Sequence, residues 1–305
     1  MRDETLVVLN QLKNLDLSTY PYERAKELIG KLGWYYAELP LRSGATIIRS
    51  RLNENKKAFT SKEELTYVSK EKNKTYRRAS TPHSTMFYAA LEPGSLERDR
   101  FYSAQVTCAC ELLKEWMGDK YVMGRKVITL GYWRVTKDLH LCAVVQNEDF
   151  SSSNPTVKLI MDRLTKCIAD LEDKKDDVLL VSTFFANEFA KKERNNYDYL
   201  LSSVFTERMV NKGMDGVFYP SVCLDGRGFN IAISPLVADS KLELMAVKEA
   251  SVYKYYGDFL IDYDKVIELV SNQTTFELVP KLENDHHERD KWLRDLGLKS
   301  IDDLK

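Results

Sequence analysis

Four polar residues stand at the edges of apolar segments and have the types that chemistry on a phosphate-bearing ligand needs. Arg78 precedes an apolar run that contains Tyr88. Glu111 lies in a second apolar segment, and Ser221 ends a third. Such groups are costly to desolvate without partners, so their positions require a reason. We predict that they converge on a nucleotide, for which NAD is the first candidate.

Each of the four residue types suits one part of such a ligand. The planar fork of Arg78 can donate two parallel hydrogen bonds to a diphosphate, and its charge persists at any working pH. Tyr88 offers a flat face to a nicotinamide or adenine ring. Glu111 supplies the negative charge that an oxocarbenium-like transition state needs. A hydrogen bond donated by Ser221 would orient that carboxylate.

Ordinary structural explanations exist for the same residues. Arg78 can be a surface residue, and Tyr88 can belong to the core of a strand. Glu111 can pair with Lys114 three positions later on a helix, which contributes ~0.2–0.5 kcal/mol. Ser221 can be a plain strand or turn residue. The pattern alone does not decide between these explanations and a shared site.

The elements that would position these residues are strands and helices without regular βαβ alternation, which indicates an α+β domain. Two amphipathic helices are predicted within residues 1–40, where the chain then breaks at Pro40. Further helices are predicted at 103–117, 156–171 and 197–212. The predicted strands are 45–48, 86–91, 126–135, 139–145, 229–234 and 242–255.

Some connections can also be predicted. Segments 126–135 and 139–145 are expected to pair through the residues 136–138 between them. The sequence Asp225-Gly226-Arg227-Gly228 is typical of a hairpin turn before the strand 229–234. For 178–185 periodicity does not distinguish strand from helix. From about residue 262 the polar chain favours one or two peripheral helices.

Composition places the chain among soluble globular proteins. Of its 305 residues 44% are hydrophobic and 30% are charged, which does not fit a disordered chain. The net charge of -1 argues against a broad basic face for nucleic acid. Because the first residues lack a signal peptide and no apolar run is long enough for a bilayer, we expect a cytoplasmic protein without membrane contact. The five cysteines are scattered and predict neither a disulfide framework nor a metal site.

Several short motifs together resemble the RES-domain family, which is named for its Arg, Glu and Ser. They cover roughly residues 41–245 and include the strand that ends in Arg49-Ser50-Arg51. The other motifs are Tyr76-Arg77-Arg78-Ala79-Ser80, Phe87-Tyr88, Ala109-Cys110-Glu111-Leu112, Asp215-Gly216-Val217-Phe218-Tyr219-Pro220-Ser221 and Gly228-Phe229-Asn230.

The resemblance implies an ADP-ribosyltransferase-like mixed β core with flanking helices, and NAD as substrate without a metal. It implies a bacterial toxin whose cleft is covered by an antitoxin protein. The catalytic domain would span 41–260, between an N-terminal helical segment (1–40) and a C-terminal helical extension (261–305). The implied catalytic residues are Arg78, Tyr88, Glu111 and Ser221. The implied NAD-binding residues are Arg49, as a second phosphate contact, and Arg51, Tyr76, Tyr219 and Asn230.

The chain departs from the family pattern in two places. Arg77 stands where the family has Gly, and Ser80 stands where it has Asn. In addition, residues 92–106 form an insertion between Tyr88 and Glu111 relative to compact members. These departures bear on which substrate the cleft takes.

The acceptor of the ADP-ribosyl group stays open at this point. Water would make the protein an NAD glycohydrolase, and phosphate would make it a phosphorylase. A protein side chain would make it a mono-ADP-ribosyltransferase. A further alternative, motivated by Arg77 and Ser80, is a catalytically degenerate domain that binds a nucleotide or a partner.

Overall fold

One mixed β-sheet runs through the computed structural model, which describes residues 2–33, 36–53, 57–92, 102–192, 194–281 and 286–304. Its strands are β1 (Ala37–Leu41), β2 (Thr46–Leu52), β3 (Phe87–Leu91), β4 (Gly124–Val135), β5 (Leu139–Ala143), β6 (Gly216–Pro220), β7 (Phe229–Ile233), β8 (Leu242–Tyr255), β9 (Asp258–Glu268) and β10 (Val279–Pro280). Their order is β1-β5-β6-β7-β3-β2-β4-β8-β9-β10. Neighbours are antiparallel except β5 and β6, which are parallel. The α+β class predicted from the sequence is therefore confirmed.

Helices cover this sheet. They are α1 (Arg2–Lys13), α2 (Tyr22–Lys31), α3 (Lys62–Leu65), α4 (Ala104–Leu112), α5 (Lys114–Gly118), α6 (Glu148–Ser153), α7 (Pro155–Cys167), α8 (Lys175–Ala190), α9 (Leu200–Asn211), α10 (Pro235–Lys241) and α11 (His287–Asp295). Their starts follow from local chemistry. The Asn154 side chain accepts hydrogen bonds from the first backbone N–H groups of α7, and Ser103 caps α4 in the same way. Within the described residues, no helix has the length and apolarity that crossing a bilayer requires.

Two helical layers lie side by side on one face of the sheet. Helices α1, α2, α8 and α9 pack on the face of β6 and β7 that carries Tyr219 and Ala232. Helix α4 packs on Ile48 of β2 and Ala90 of β3. Along β3, Tyr88 and Ala90 share a face because side chains alternate along a strand. The two layers therefore leave a cleft between them, with β3 and β7 beneath it.

Strands β2 and β3 diverge below this cleft. They pair only through Ile47 with Leu91 and Ile48 with Ala90, whereas β2 stays paired with β4 as far as Leu52. In the gap, the Arg49 guanidinium donates a hydrogen bond of 2.7 Å to the Tyr88 carbonyl. A buried backbone carbonyl needs such a donor once its strand partner has moved away. The opening in the sheet is thus closed by a side chain.

Most predicted elements are confirmed. The strands at 45–48, 86–91, 126–135, 139–145, 229–234 and 242–255 correspond to β2, β3, β4, β5, β7 and β8. The predicted helix at 103–117 corresponds to α4 and α5 together. The predicted helices at 156–171 and 197–212 correspond to α7 and to α9. The ambiguous segment 178–185 is part of helix α8. Of the insertion 92–106, residues 93–101 lie outside the described residues.

The predicted pairing of β4 with β5 is wrong. Strand β4 pairs instead with β2 over seven residue pairs and with β8 over twelve. Both of its edges are thereby occupied. Strand β5 lies in the other half of the sheet between β1 and β6. The short polar connection at 136–138 is compatible with a hairpin, but β4 forms longer pairings with β2 and β8 instead.

The predictions for the two ends of the chain were wrong in part. Pro40 does not break the chain but lies in β1, at the outer edge of the sheet, where a missing N–H is tolerated. At the other end, residues 262–268 belong to strand β9 instead of the predicted helix, and the sheet ends with Pro280 in β10. Helix α11 is a helix within the tail for which one or two were predicted. Ile261 and Tyr263 of β9 pack on the core beneath α4. The charged residues Asp262, Asp264 and Lys265 that alternate with or follow them hid the strand pattern.

The close contact between β6 and β7 generates a prediction. A Cβ added at Gly216 would overlap the backbone carbonyl of Ala232, whereas one added at Gly30 of α2 would meet nothing within 4 Å. We expect Gly216→Ala to lower the free energy of unfolding by about 1–3 kcal/mol. Gly30→Ala should raise it by about 0.5–1 kcal/mol through helix propensity. Urea titration followed by circular dichroism measures both, and equal midpoints for the two variants would contradict this packing.

Candidate active site

The cleft between the two helical layers has a volume of about 950 Å³. That is at the upper end of the range for a small-molecule site. Arg78, Tyr88, Glu111, Tyr219 and Asn230 all line it. The structure thus brings together residues that are far apart in the sequence, as the sequence predicted.

Glu111 is the residue with the most specific surroundings. Its Oε1 accepts hydrogen bonds from Ser221 Oγ at 2.6 Å and from Asn230 Nδ2 at 2.8 Å. Its Oε2 lies 3.5 Å from the sulfur of Cys223. Two donors on one oxygen fix the orientation of the carboxylate. The bond from Ser221 is the one predicted from the sequence.

Ser221 and Asn230 are held by the β6–β7 connection. Tyr219 of β6 pairs with Asn230 of β7, and the Ser221 N–H donates to the Gly228 carbonyl at 2.8 Å. A Cβ at Gly228 would lie 2.5 Å from the Thr107 hydroxyl on α4, so only glycine allows this close approach. Ser221 is fully buried. It therefore acts on Glu111 and not on a ligand.

The two tyrosines contribute rings to the cleft. The Tyr88 hydroxyl donates to Ser80 Oγ at 2.8 Å and accepts from the Ala79 N–H at 3.0 Å. Burial raises the pKa of Tyr88 and raises that of Tyr219 well above the usual value. Both phenols therefore stay neutral at physiological pH, and what they offer a ligand is an aromatic face.

Arg78 is held in place by the chain around it. Its guanidinium donates to the backbone carbonyls of Phe189, in the last turn of α8, and of Lys191, which caps that helix. Its Cζ lies 5.3 Å from the centre of the Tyr199 ring. A cation over an aromatic ring is stabilised by the ring quadrupole. Arg78 thus presents a fixed positive charge to the cleft.

The three other predicted NAD-binding residues differ in placement. Arg49 and Arg51 line the cleft, and both donate to the Thr66 carbonyl, at 3.2 and 2.7 Å. Tyr76 does not line it. The ring of Tyr76 is buried in the helical layer of α1 and α2 and stacks on Tyr20 with centroids 5.8 Å apart. The prediction that Tyr76 contacts the nucleotide finds no support in this placement.

Several residues of the cleft were not predicted from the sequence. The Tyr199 hydroxyl lies 3.1 Å from the Lys114 ammonium group, and both residues line the cleft. Cys223 and the basic residues Lys192 and Arg194 also line it. The basic run Lys191-Lys192-Glu193-Arg194 is the sequence pattern that could have indicated Lys192 and Arg194 as cleft residues.

The cleft carries a surplus of positive charge. Among its described lining residues, eight are cationic and three are acidic. The cationic ones are Arg49, Arg51, Arg77, Arg78, Lys114, Lys192, Arg194 and Lys254. A concave surface of one sign concentrates ligands of the opposite sign. The cleft is therefore suited to a ligand with several negative charges.

A metal site was not predicted. Among the described residues, no group of three or more His, Cys, Asp and Glu side chains is arranged to hold a metal ion. The described side chains of the cleft offer one oriented carboxylate, aromatic faces and several cations.

Comparison of the chain with protein-family models gives no match, and comparison with curated proteins also gives none. The resemblance to the RES-domain family therefore depends on the motifs named above.

The contact between Cys223 and Glu111 can be tested without a substrate. Desolvation and the nearby Glu111 carboxylate raise the pKa of the Cys223 thiol to about 12, although the residue as a whole is exposed. Alkylation requires the thiolate. We therefore expect Glu111→Gln to speed alkylation of Cys223 by iodoacetamide at pH 8 several-fold, because it removes the negative charge. Peptide mass spectrometry over time measures the rate.

Cys167, an exposed cysteine outside the cleft, serves as the internal control for that measurement. Its alkylation rate should be the same in both proteins. An unchanged rate for Cys223 would contradict the proximity of the thiol and the carboxylate.

Proposed function

We propose that the protein is an enzyme that cleaves the bond between nicotinamide and ribose in NAD. The observation that carries this proposal is the orientation of Glu111 by Ser221 and Asn230 inside a cationic, aromatic-lined cleft. A carboxylate positioned in this way is what stabilisation of a developing ribosyl cation requires. Water or phosphate is the proposed acceptor.

The ligand would be held by charge and by ring stacking. Arg78 and Lys114 both lie beside the Tyr199 ring, with the charged group 5.3 and 5.7 Å from the ring centre. We assign the diphosphate to these two cations, since both have fixed positions on the cleft wall. The faces of Tyr88 and Tyr219 are suited to the nicotinamide ring.

Glu111 acts in the bond-breaking step. As the bond from the ribose C1′ to the pyridinium nitrogen breaks, the electron pair leaves with nicotinamide, which becomes neutral. Positive charge develops on the ribose, and the carboxylate of Glu111 stabilises it electrostatically. Addition of water then gives ADP-ribose and releases one proton, whereas addition of phosphate gives an ADP-ribosyl phosphate.

Ser221 and Asn230 are positioning residues in this proposal. Their hydrogen bonds occupy Oε1, so that Oε2 is the oxygen directed to the cleft and to Cys223. A carboxylate whose rotation is restricted before the substrate arrives has no reorientation cost in the transition state.

The test is release of nicotinamide from NAD by purified protein, followed by chromatography. Glu111→Gln should lower kcat on the order of 100-fold or more, because the amide cannot stabilise the cation, and should leave KM within a few-fold. Glu115→Gln is the matched control, since Glu115 is exposed and lines the same cleft. Its kcat should stay within a few-fold of the original. Equal nicotinamide release by all three proteins would refute the assignment of Glu111.

A further inference from the structure

Arg49, Arg51 and Arg77 form a cluster of guanidinium groups at one wall of the cleft. Arg49 and Arg51 are neighbours because both donate to the same Thr66 carbonyl. Burial lowers the pKa of Arg49 to about 9, and the nearby positive charges of Arg51 and Arg77 contribute to this shift. Guanidinium groups carry a positive charge at any working pH. The cluster therefore holds three positive charges that repel one another.

No carboxylate among the described residues forms an ion pair with this cluster. Arg49 is only 7% exposed, and the Nε of Arg51 is buried without a hydrogen-bond partner. Buried charges and buried donors are costly unless a partner compensates them. An arrangement of this kind is stabilised when an anion enters the cleft.

Arg77 completes the cluster from the open side. It is exposed at the cleft, in a tight turn where its N–H and carbonyl both bond to Ser80. Ser80 in turn accepts the hydrogen bond from Tyr88, and Arg49 donates to the Tyr88 carbonyl. The turn therefore has a fixed position relative to the other two arginines. The resembled family has glycine at this position, so the third charge is a property of this chain.

We propose that Arg49, Arg51 and Arg77 bind a phosphate monoester dianion beside the dinucleotide. This inference rests on the proposed function, which assigns the diphosphate to Arg78 and Lys114 and leaves this cluster without a ligand group. The dianion has two sources. It is either the phosphate on the adenosine ribose of NADP or a free inorganic phosphate. In both cases planar guanidinium groups match the phosphate oxygens.

Calorimetric titration with NAD and NADP tests the first source, with Glu111→Gln as the background so that turnover does not consume the ligand. We expect NADP to bind at least ~10-fold more tightly than NAD, since each charge-assisted hydrogen bond contributes about that much. Adding Arg77→Ala should remove most of this difference, and Arg77→Lys should retain part of it. Arg163→Ala, which changes an exposed arginine of α7 outside the cleft, should retain all of it.

The second source is tested by nicotinamide release from NAD in the unmodified protein with and without inorganic phosphate. Stimulation by phosphate that Arg77→Ala abolishes supports a free phosphate at the cluster. Equal binding of NAD and NADP together with no phosphate effect overturns the inference. A preference for NADP that survives Arg77→Ala also overturns it.

These outcomes are separate from those of the proposed function. Nicotinamide release that depends on Glu111, without any difference between NAD and NADP and without a phosphate effect, refutes the phosphate subsite alone. NADP binding that depends on Arg77, without release of nicotinamide from either nucleotide, refutes the catalytic proposal alone. Absence of binding by either nucleotide and of any turnover refutes both.

Discussion

The hydrogen bonds from Ser221 and Asn230 to one oxygen of Glu111 are the interaction on which the architecture of the site depends. They join helix α4 to strand β7 and to the loop after β6, across sequence separations of 119 and 110 residues. A half-buried carboxylate without these donors would lose solvation and gain nothing in return. With these donors, the position of the Glu111 carboxylate is fixed relative to strands β6 and β7. The close approach of Gly228 to Thr107 leaves little room for the helix to shift.

Beneath the cleft, β2 and β3 separate after two residue pairs. The sheet continues on both sides, so the separation creates an opening and not an edge. Arg49 crosses this opening by donating to the Tyr88 carbonyl, and both Arg49 and Arg51 donate to the Thr66 carbonyl. The Arg49 side chain that replaces the missing strand pairing therefore also lines the cleft and contributes positive charge to it.

Much of this structure could be predicted from local sequence. Strands β2, β3 and β8 and helix α9 have clear periodicity, and the bond between Ser221 and Glu111 was expected from their residue types. Pairing partners could not be predicted, because the choice of β8 over β5 as neighbour of β4 depends on contacts more than a hundred residues apart. The position of Tyr199 was missed for the same reason, because it lies beside Arg78 and Lys114, which are distant in the sequence. Arg77 was noted as a departure from the family pattern, but its place in the cleft lining with Arg49 and Arg51 could not be predicted.

Both outer strands of the sheet contain a proline, Pro40 in β1 and Pro280 in β10. A ten-stranded sheet with two open margins is a template on which another chain could add a strand. Proline has no N–H, so each margin lacks a donor at that residue and extension there is disfavoured. These two prolines therefore disfavour end-to-end association of the sheets of two molecules.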